Sequence, residues 1–517
     1  MMKHMNRLCA GLLALLTLFL LVGCSAPNKS DVDGMYNGPN GYPSIPGEDA
    51  VDTVLPGDEN GNEGEEGAWR ENPFIATNEQ NVSTFSSDVD TASYAYFRKL
   101  VTGSRYGWET LQRSHESFRT EEFVNYFRYE SVQPGEGELF GVTTQIVPCP
   151  WNENTLLMRM TLQAAQPAVT VGNNLVFLID VSGSMQSADK LGLLKDAFSY
   201  LTESLTANDV ISIVTYSGSE RVVLEGCPGN DTQRILQAIN GLQAYGSTNG
   251  EAGLTRAYEI AERYRIEGGN NRIIMASDGD LNVGISSQSE LTAFVSQKRA
   301  TGVYLSVLGF GTGNYRDSKM EALADNGNGV YYYIDGMSEA EKVFGSDLLG
   351  TLYTVAEDVK LQVTFDPAYV SSYRLIGYEN RILNEEDFED DTKDAGDVGA
   401  GHRVTACYEL TVNAQRALTE DADWLTLAVR YKHPGDTVSL LNEYGVSRAD
   451  FSQTADGEML FIASVIQAVM LLHGSSYADG VTLEGILETL NGLDLTAYPD
   501  RDEFREMLGL LAASTQG

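Results

Sequence analysis

The fold is decided by Asp180-Val181-Ser182-Gly183-Ser184, which directly follows the apolar run Leu-Val-Phe-Leu-Ile at 175–179. A continuous apolar run of this kind is typical of a central parallel strand that is covered on both faces. Side chains at the end of such a strand face the crevice in which α/β folds bind ligands. The carboxylate of Asp180 and the hydroxyls of Ser182 and Ser184 are hard oxygen ligands, which suit Mg²⁺ or a similar cation. The sequence therefore predicts a strand, a sharp turn and a cation site beside it.

Strand and helix patterns alternate on the C-terminal side of this turn. The further strand-like runs are at 210–214, 273–277 and 304–308, and the helical patterns are at 191–205, 235–242, 254–264 and 291–298. Strands that alternate with helices imply a parallel, doubly wound sheet. We therefore predict an α/β domain with a mainly parallel sheet from 173 to 335, which is a normal size for a single domain.

The D-x-S-x-S pattern at 180–184 resembles the metal-ion-dependent adhesion site of the von Willebrand factor type A (VWA) domain. The second element of that site is a Thr on a loop, which Thr248 matches, and the third is an Asp after a later strand, which Asp278 matches. The resemblance implies that the hydroxyls approach the ion directly, whereas the carboxylates act largely through water. The expected metal ligands are therefore Asp180, Ser182, Ser184, Thr248 and Asp278. Mg²⁺ is the expected ion, with Mn²⁺ and Ca²⁺ as alternatives, and the role of nearby Asp280 stays open.

The first 24 residues have the pattern of a secretory signal peptide. Lys3 and Arg7 precede an apolar run at 8–22, and the run ends in Leu21-Val22-Gly23-Cys24. This ending resembles a lipobox, which implies lipidation of Cys24 and anchoring of the mature chain to a membrane. We therefore predict a lipid-anchored, extracytoplasmic protein of the cell envelope. Inner membrane, outer membrane and Gram-positive surface are not distinguished by the sequence.

The regions on either side of the α/β domain, 71–165 and 336–517, contain the strings T-F-S-S-D-V-D-T-A-S-Y at 84–94 and R-L-I-G-Y-E-N-R at 374–381. With these strings, the two regions resemble the N- and C-terminal regions of the YfbK-like bacterial lipoprotein family. We expect an α+β N-terminal region and a C-terminal region that is rich in β-structure and also contains helices. The D-x-D spacing of Asp88 and Asp90 would suit metal ligands, but a turn that leads into a helix is the preferred interpretation.

Two segments of the C-terminal region allow more specific predictions. A helical pattern near Glu339–Ala356 precedes alternation typical of a strand from Val359 to Phe365. The apolar segment Met459–Leu472 resembles a membrane span, but it is too short and contains Gln467. We therefore expect a buried helix there.

The composition is strongly acidic, with 35 Lys and Arg against 73 Asp and Glu. This balance argues against nucleic-acid binding, which requires clustered basic charge. Residues 25–70 are rich in Gly, Pro, Asn, Asp and Glu, so we expect a disordered tether. Cys149, Cys227 and Cys407 are widely spaced, and we expect small buried side chains in preference to a disulfide.

The residue inventory favours a binding protein over an enzyme. There are five His residues, with no pair at zinc-ligand spacing, and no general base is assigned beside Ser182 or Ser184. The predicted function is docking of a protein partner, which offers an acidic side chain to the metal. The alternative is a metal-dependent hydrolase that uses the same ion to activate water. A third interpretation is a structural lipoprotein whose metal only stabilises the loops.

Overall fold

The computed structural model of the protein describes residues 70–103, 107–166, 171–247, 250–279, 288–299, 301–311 and 317–515. Several sequence predictions fall outside these residues. They concern the signal peptide at 1–24 with Cys24, the tether at 25–70 except its last residue, Thr248 and Asp280.

The secondary structure of the described residues alternates between strands and helices in its central part. The strands β1 to β17 are Ile75–Ala76, Val82–Ser86, Phe140–Pro148, Leu156–Ala164, Asn173–Asp180, Val210–Tyr216, Glu220–Pro228, Asn270–Ser277, Tyr304–Phe310, Tyr331–Ile334, Thr354–Phe365, Val370–Ile376, Ile382–Leu383, Gly396–Gly399, Arg403–Val412, Asp423–Lys432 and Leu440–Ser447. The helices α1 to α14 are Ala92–Thr102, Trp108–Arg113, Thr120–Tyr126, Leu193–Leu201, Thr232–Asn240, Gly250–Arg263, Gln288–Arg299, Asp317–Asn326, Met337–Glu341, Leu348–Leu352, Ala414–Ala417, Gly457–His473, Leu483–Asn491 and Pro499–Thr515.

The central sheet has the strand order β10-β9-β8-β5-β6-β7. Its neighbouring strands are parallel except for the pair β6 and β7. The predicted α/β, mainly parallel fold is therefore confirmed, and the antiparallel edge strand β7 was not predicted. From β5 the chain continues to β6 on one side and later to β8 on the other, so the order reverses at β5. Such a switch point creates a crevice at the carboxyl ends of the strands.

The apolar run of β5 is buried because helices cover both faces of the sheet. Leu175, Phe177 and Ile179 pack on one face with side chains of α4 and α5. Val176 and Leu178 pack on the opposite face with side chains of α6 and α8. Successive strand residues point to opposite faces, so an unbroken apolar run is what a strand covered on both sides requires.

The regions before and after the central sheet form two antiparallel sheets together. One has the order β1-β12-β15-β4-β3 and the other β13-β2-β11-β16-β17, with β14 also pairing with β11. Each sheet therefore contains strands from both flanking regions, and the central α/β segment is inserted between β4 and β11. An apolar core that includes Met160, Leu361 and Tyr408 fills the space between the two sheets.

Helices cover the other face of the first of these sheets. Leu157 and Cys407 of that sheet belong to one apolar cluster with Phe461 of α12 and Phe504 of α14. The predicted buried helix at Met459–Leu472 is confirmed as part of α12. Among the helices of the described residues, none combines the length and the apolar character needed to cross a membrane.

The helix predicted near Glu339–Ala356 is wrong in its extent. The helical stretch ends at Leu352, and β11 begins at Thr354. The reason is tertiary pairing, because Ala356 lies opposite Val398 of β14 and is buried in the core between the antiparallel sheets. The three cysteines of the described residues are free and buried, as expected.

Candidate metal centre

Two buried carboxylates lie at neighbouring strand ends in the crevice. Asp180 ends β5 and Asp278 follows β8, and these strands are parallel neighbours with Ile179 opposite Ala276. Asp180 is 0 % exposed and Asp278 is 2 % exposed. Strand register therefore brings two residues together that lie almost a hundred positions apart in the chain.

The turn after β5 places two hydroxyls beside these carboxylates. The backbone N–H of Ser182 donates to Asp180 Oδ1 at 2.8 Å, which holds the start of the turn. The Oγ atoms of Ser182 and Ser184 are 3.0 Å apart, within hydrogen-bonding distance. Octahedral Mg²⁺ with bonds of about 2.0–2.1 Å places adjacent ligands about 2.9 Å apart. The two hydroxyls therefore have a spacing at which they could bind the same Mg²⁺ ion.

The loop that leads to Thr248 is hydrogen-bonded to the same turn. Gly183 N–H donates to Gly246 O at 3.0 Å, and Tyr245 N–H donates to Val181 O at 2.8 Å. Gly246 has a φ of 81°, a conformation that favours glycine. The chain thus approaches the hydroxyl pair two residues before Thr248, which itself lies outside the described residues.

The electrostatics of the site favour an added cation. Burial raises the pKa of Asp180 to about 6; the Ser182 N–H hydrogen bond opposes the rise, and the neighbouring Asp278 carboxylate adds to it. Lys190 Nζ donates to Asp278 Oδ2 at 2.7 Å and to Ser184 O at 3.0 Å. The Lys190 ammonium therefore lies against Asp278, and the carboxylates and hydroxyls around the turn are oxygen groups suited to a hard divalent cation.

Lys190 is the site residue that sequence reasoning missed. It lies beyond the D-x-S-x-S motif, between that motif and α4, and no periodicity marks it. Its position against Asp278 results from the packing of one turn against the end of another strand. A lysine close behind the motif was the available signal, but sequence spacing alone does not show where a long side chain points.

A groove of about 240 Å³ lies beside the turn that carries the hydroxyls. Val181, Leu242, Tyr245 and Arg221 are among the residues that line it. Tyr245 is 60 % exposed, which is unusual for a large aromatic side chain. Its backbone N–H donates a hydrogen bond to Val181 in the turn after β5. Exposed aromatic side chains of this kind are enriched in protein–protein interfaces, and this one lies next to the predicted cation site.

The D-x-D residues lie elsewhere and make structural contacts. Asp88 Oδ1 accepts the N–H of Asp90 at 2.9 Å in the turn before α1. Asp90 Oδ1 accepts the N–H of Tyr331 at 3.0 Å. Within the part of the chain that the structure describes, no group of three or more His, Cys, Asp or Glu side chains is arranged to hold a metal ion. The predicted centre differs from such groups because it depends on serine hydroxyls.

The R-L-I-G-Y-E-N-R string ends in an arginine that joins the central domain to its flanks. Arg381 pairs with Glu321 at 2.8 Å, with Asp325 at 2.7 Å and with Asp88 at 3.3 Å. Arg119 pairs with the second oxygen of Glu321 at 2.6 Å. We refer to these five residues as the arginine joint. Glu321 and Asp325 belong to α8, whereas the others belong to the flanking regions.

Family models match three parts of this chain. One described as "von Willebrand factor type A domain" matches residues 175–280, and one described as "von Willebrand factor" matches residues 62–159. One described as "Uncharacterized protein YfbK, C-terminal" matches residues 350–514. With its six-stranded, mainly parallel sheet, this chain is a VWA-domain protein. VWA domains often bind divalent cations and typically mediate protein–protein interaction.

The relatives of the chain define its family. It is 37 % identical over 469 residues to "Uncharacterized protein YfbK" of Escherichia coli (strain K12), which covers 85 % of this chain and 80 % of that protein. The chain belongs to the YfbK family. It is also 26 % identical over 281 residues to inter-alpha-trypsin inhibitor heavy chain H3 of Homo sapiens, covering 51 % of this chain and 31 % of that protein. Among solved structures, a von Willebrand factor type A protein from Catenulispora acidiphila matches with a TM-score of 0.41 and 16 % identity, covering 75 % of this chain and 89 % of that one.

Proposed function

We propose that this protein is a lipid-anchored binding protein of the cell envelope that docks a protein partner through a divalent cation. The cation is held by Asp180, Ser182, Ser184, Thr248 and Asp278. The observation that carries the proposal is the pair of hydroxyls 3.0 Å apart beside two buried carboxylates at the carboxyl ends of neighbouring strands.

The ligand chemistry explains why such a site would bind an acidic partner. Neutral hydroxyls do not cancel the charge of the ion, and carboxylates that act through water cancel it only partly. A bound Mg²⁺ ion therefore keeps net positive character. An Asp or Glu of the partner completes its shell through a short, charge-assisted contact. The protein as a whole carries a formal net charge of −38, so it would attract an acidic partner only near this ion.

Metal binding is tested first, on the purified chain alone. Isothermal calorimetry with Mg²⁺ and Mn²⁺ should show one site in the unmutated protein and weakened binding after Ser184→Ala. Ser187→Ala is the matched control, because Ser187 is exposed, lies three residues further along and donates to Asp189. Equal binding by the Ser184→Ala and unmutated proteins would contradict the proposal.

Partner docking is tested next, with envelope extract passed over the immobilised protein. A partner should be retained with Mg²⁺, released by a chelator and lost after Ser184→Ala but not after Ser187→Ala. Carboxylate modification of the partner should abolish its retention. Retention that does not depend on metal would show that docking uses another surface.

Catalysis is the competing function, because a metal ion can also activate water. The purified protein should show no metal-dependent turnover on panels of phosphoesters, peptides and esters. Turnover that disappears after Asp180→Ala would replace docking with hydrolysis as the function.

Membrane anchoring rests on Cys24, which lies outside the described residues. We expect the Cys24→Ser protein to lack lipid and to be absent from membranes, as released protein or precursor. Mass spectrometry of the mature N-terminus identifies the modification. Firm membrane attachment of an unlipidated mature chain would reject the anchor.

A further inference from the structure

The side chain of Lys190 reaches into the predicted metal centre. Its ammonium donates to Asp278 Oδ2 at 2.7 Å and to the backbone carbonyl of Ser184 at 3.0 Å. The Lys190 side chain is 12 % exposed and the Asp278 side chain 0 % exposed, so this pair is largely shielded from solvent. The positively charged ammonium of Lys190 is therefore held against Asp278 and Ser184, two residues that are predicted to bind a divalent cation.

The structure makes room for this lysine. Gly311 follows β9 with a φ of 75°, and a Cβ there would lie 2.4 Å from Lys190 Cε. Its carbonyl accepts a hydrogen bond from Tyr333 Oη at 2.8 Å, which holds the backbone in place. The aliphatic stem of Lys190 thus lies in a space that a side chain at position 311 would fill. Its ammonium is directed at Asp278 by packing as well as by charge.

The two cations would share one acceptor, the Asp278 carboxylate. A metal ion at the hydroxyl pair would need Asp278 to orient a metal-bound water, whereas Lys190 already uses one oxygen of that carboxylate. An ammonium beside a divalent cation also repels it, and the repulsion is strong where water is largely excluded.

We propose that Lys190 competes with the divalent cation: its ammonium offsets part of the negative charge of the metal-free site and lowers the affinity of that site for metal. This inference rests on the proposed metal-dependent docking. Metal binding displaces the ammonium from Asp278, so one positive group at the site replaces another. The affinity of the centre is then set by a residue outside the D-x-S-x-S motif.

The test compares Lys190→Met with the unmutated full chain, since methionine keeps a stem of similar length without the charge. Calorimetry with Mg²⁺ should give a dissociation constant about tenfold lower for Lys190→Met, because a neighbouring positive charge has been removed. Lys298→Met is the matched control for net charge, because Lys298 lies on α7 and pairs with Glu262. We expect its dissociation constant for Mg²⁺ to be unchanged.

Two further measurements separate competition from a supporting role. Without metal, Lys190→Met should melt below the unmutated protein, because Asp278 loses its counter-charge; saturating Mg²⁺ should reverse or remove that difference. In a structure of the unmutated protein with Mn²⁺ bound, Lys190 Nζ should have left Asp278 Oδ2. This second measurement remains decisive if the variant does not fold.

Unchanged or weaker Mg²⁺ binding by Lys190→Met would overturn the inference while leaving metal-dependent docking in place. An intact Lys190–Asp278 contact in the Mn²⁺ structure would do the same. Absence of binding by the unmutated protein and by Lys190→Met would remove the proposed function as well. Binding by Lys190→Met alone would support competition in its strongest form.

Discussion

The predicted metal centre and the arginine joint both bring carboxylates together, but different groups offset the negative charge in each. In the joint, Arg381 contacts Glu321, Asp325 and Asp88, and Arg119 shares Glu321. In the predicted metal centre, Asp180 accepts hydrogen bonds from the Ser182 N–H and the Ser277 hydroxyl, and Asp278 accepts one from the Lys190 ammonium. Guanidinium groups bind carboxylates through several fixed donors and always remain charged, so the joint is a permanent connection. Hydroxyls and a lysine lack such a fixed set of donors, which suits the exchangeable cation that we propose.

Breaking the joint should have the largest effect on stability. Arg381→Met leaves buried Asp88 without this counter-charge and leaves Glu321 with Arg119, and we expect it to lower the free energy of unfolding by about 3–5 kcal/mol. Denaturant unfolding followed by two optical probes measures this loss. Arg416→Met is the control, because Arg416 forms an exposed pair with Glu420 and should change stability by at most about 1 kcal/mol. A loss of that small size for Arg381→Met would show that the joint is not an important contact.

Removing the carboxylates of the metal centre should abolish stabilisation by metal without unfolding the protein. At about 100-fold excess of Mg²⁺ over its dissociation constant, a ligand bound only by the folded state adds about 2.7 kcal/mol. Calorimetric melting should show this gain in the unmutated protein and lose it after combined Asp180→Asn and Asp278→Asn substitution. Thr248→Ala should reduce the gain, and Asp196→Asn on the exposed side of α4 should leave it unchanged. The same gain in the double variant would place the ion elsewhere.

Glu121 is a buried carboxyl group for which the described residues provide no ion pair. It is 2 % exposed, Oε2 accepts the N–H of Tyr378 at 2.9 Å, and Oε1 has no hydrogen-bond partner among the described residues. Burial raises the pKa of Glu121, and the nearby Glu379 carboxyl raises it further. Above the ordinary pKa of 4.5, the folded state therefore retains a proton that the unfolded chain has lost. The contribution of Glu121 to the free energy of unfolding should therefore fall as pH rises above 4.5.

The Glu121→Gln variant isolates this effect. The free energy of unfolding of the variant, relative to that of the unmutated protein, should increase as pH rises above 4.5, by up to about 1.4 kcal/mol per pH unit. Urea unfolding at a series of pH values measures the difference, and Glu116→Gln, at an exposed carboxylate, is the control. A difference that does not depend on pH would show that Glu121 titrates normally in the folded state.

The smallest expected effect concerns the exposed aromatic residue beside the metal centre. Tyr245→Ala should weaken docking of the metal-dependent partner about fivefold, which corresponds to about 1 kcal/mol, because it removes a rigid apolar contact. The variant should bind Mg²⁺ as the unmutated protein does. Surface plasmon resonance with the isolated partner and calorimetry with the metal measure the two effects separately. A parallel loss of metal affinity would mean that Tyr245 supports the turn, with no separate role in the interface.

The sequence by itself determined the features that depend on neighbouring residues along the chain. The apolar run at 175–179 required a strand with both faces covered, and the polar residues after it required a turn at a strand end. The alternation of strands and helices required a parallel sheet, and the apolar stretch in α12 was recognised as too short for a span. These features can be recognised from neighbouring residues because the buried side chains of a helix or strand recur at a fixed spacing along the chain.

Only the tertiary structure decided which distant residues meet. Periodicity indicates that a side chain is buried or lies at a strand end, but it does not identify the partner that covers it. The pairing of Lys190 with Asp278, the sharing of sheets by strands from both flanking regions and the contact of Arg381 with α8 all follow from the topology. The helix predicted to reach Ala356 ended early for the same reason, because pairing with β14 outweighed a weak local preference.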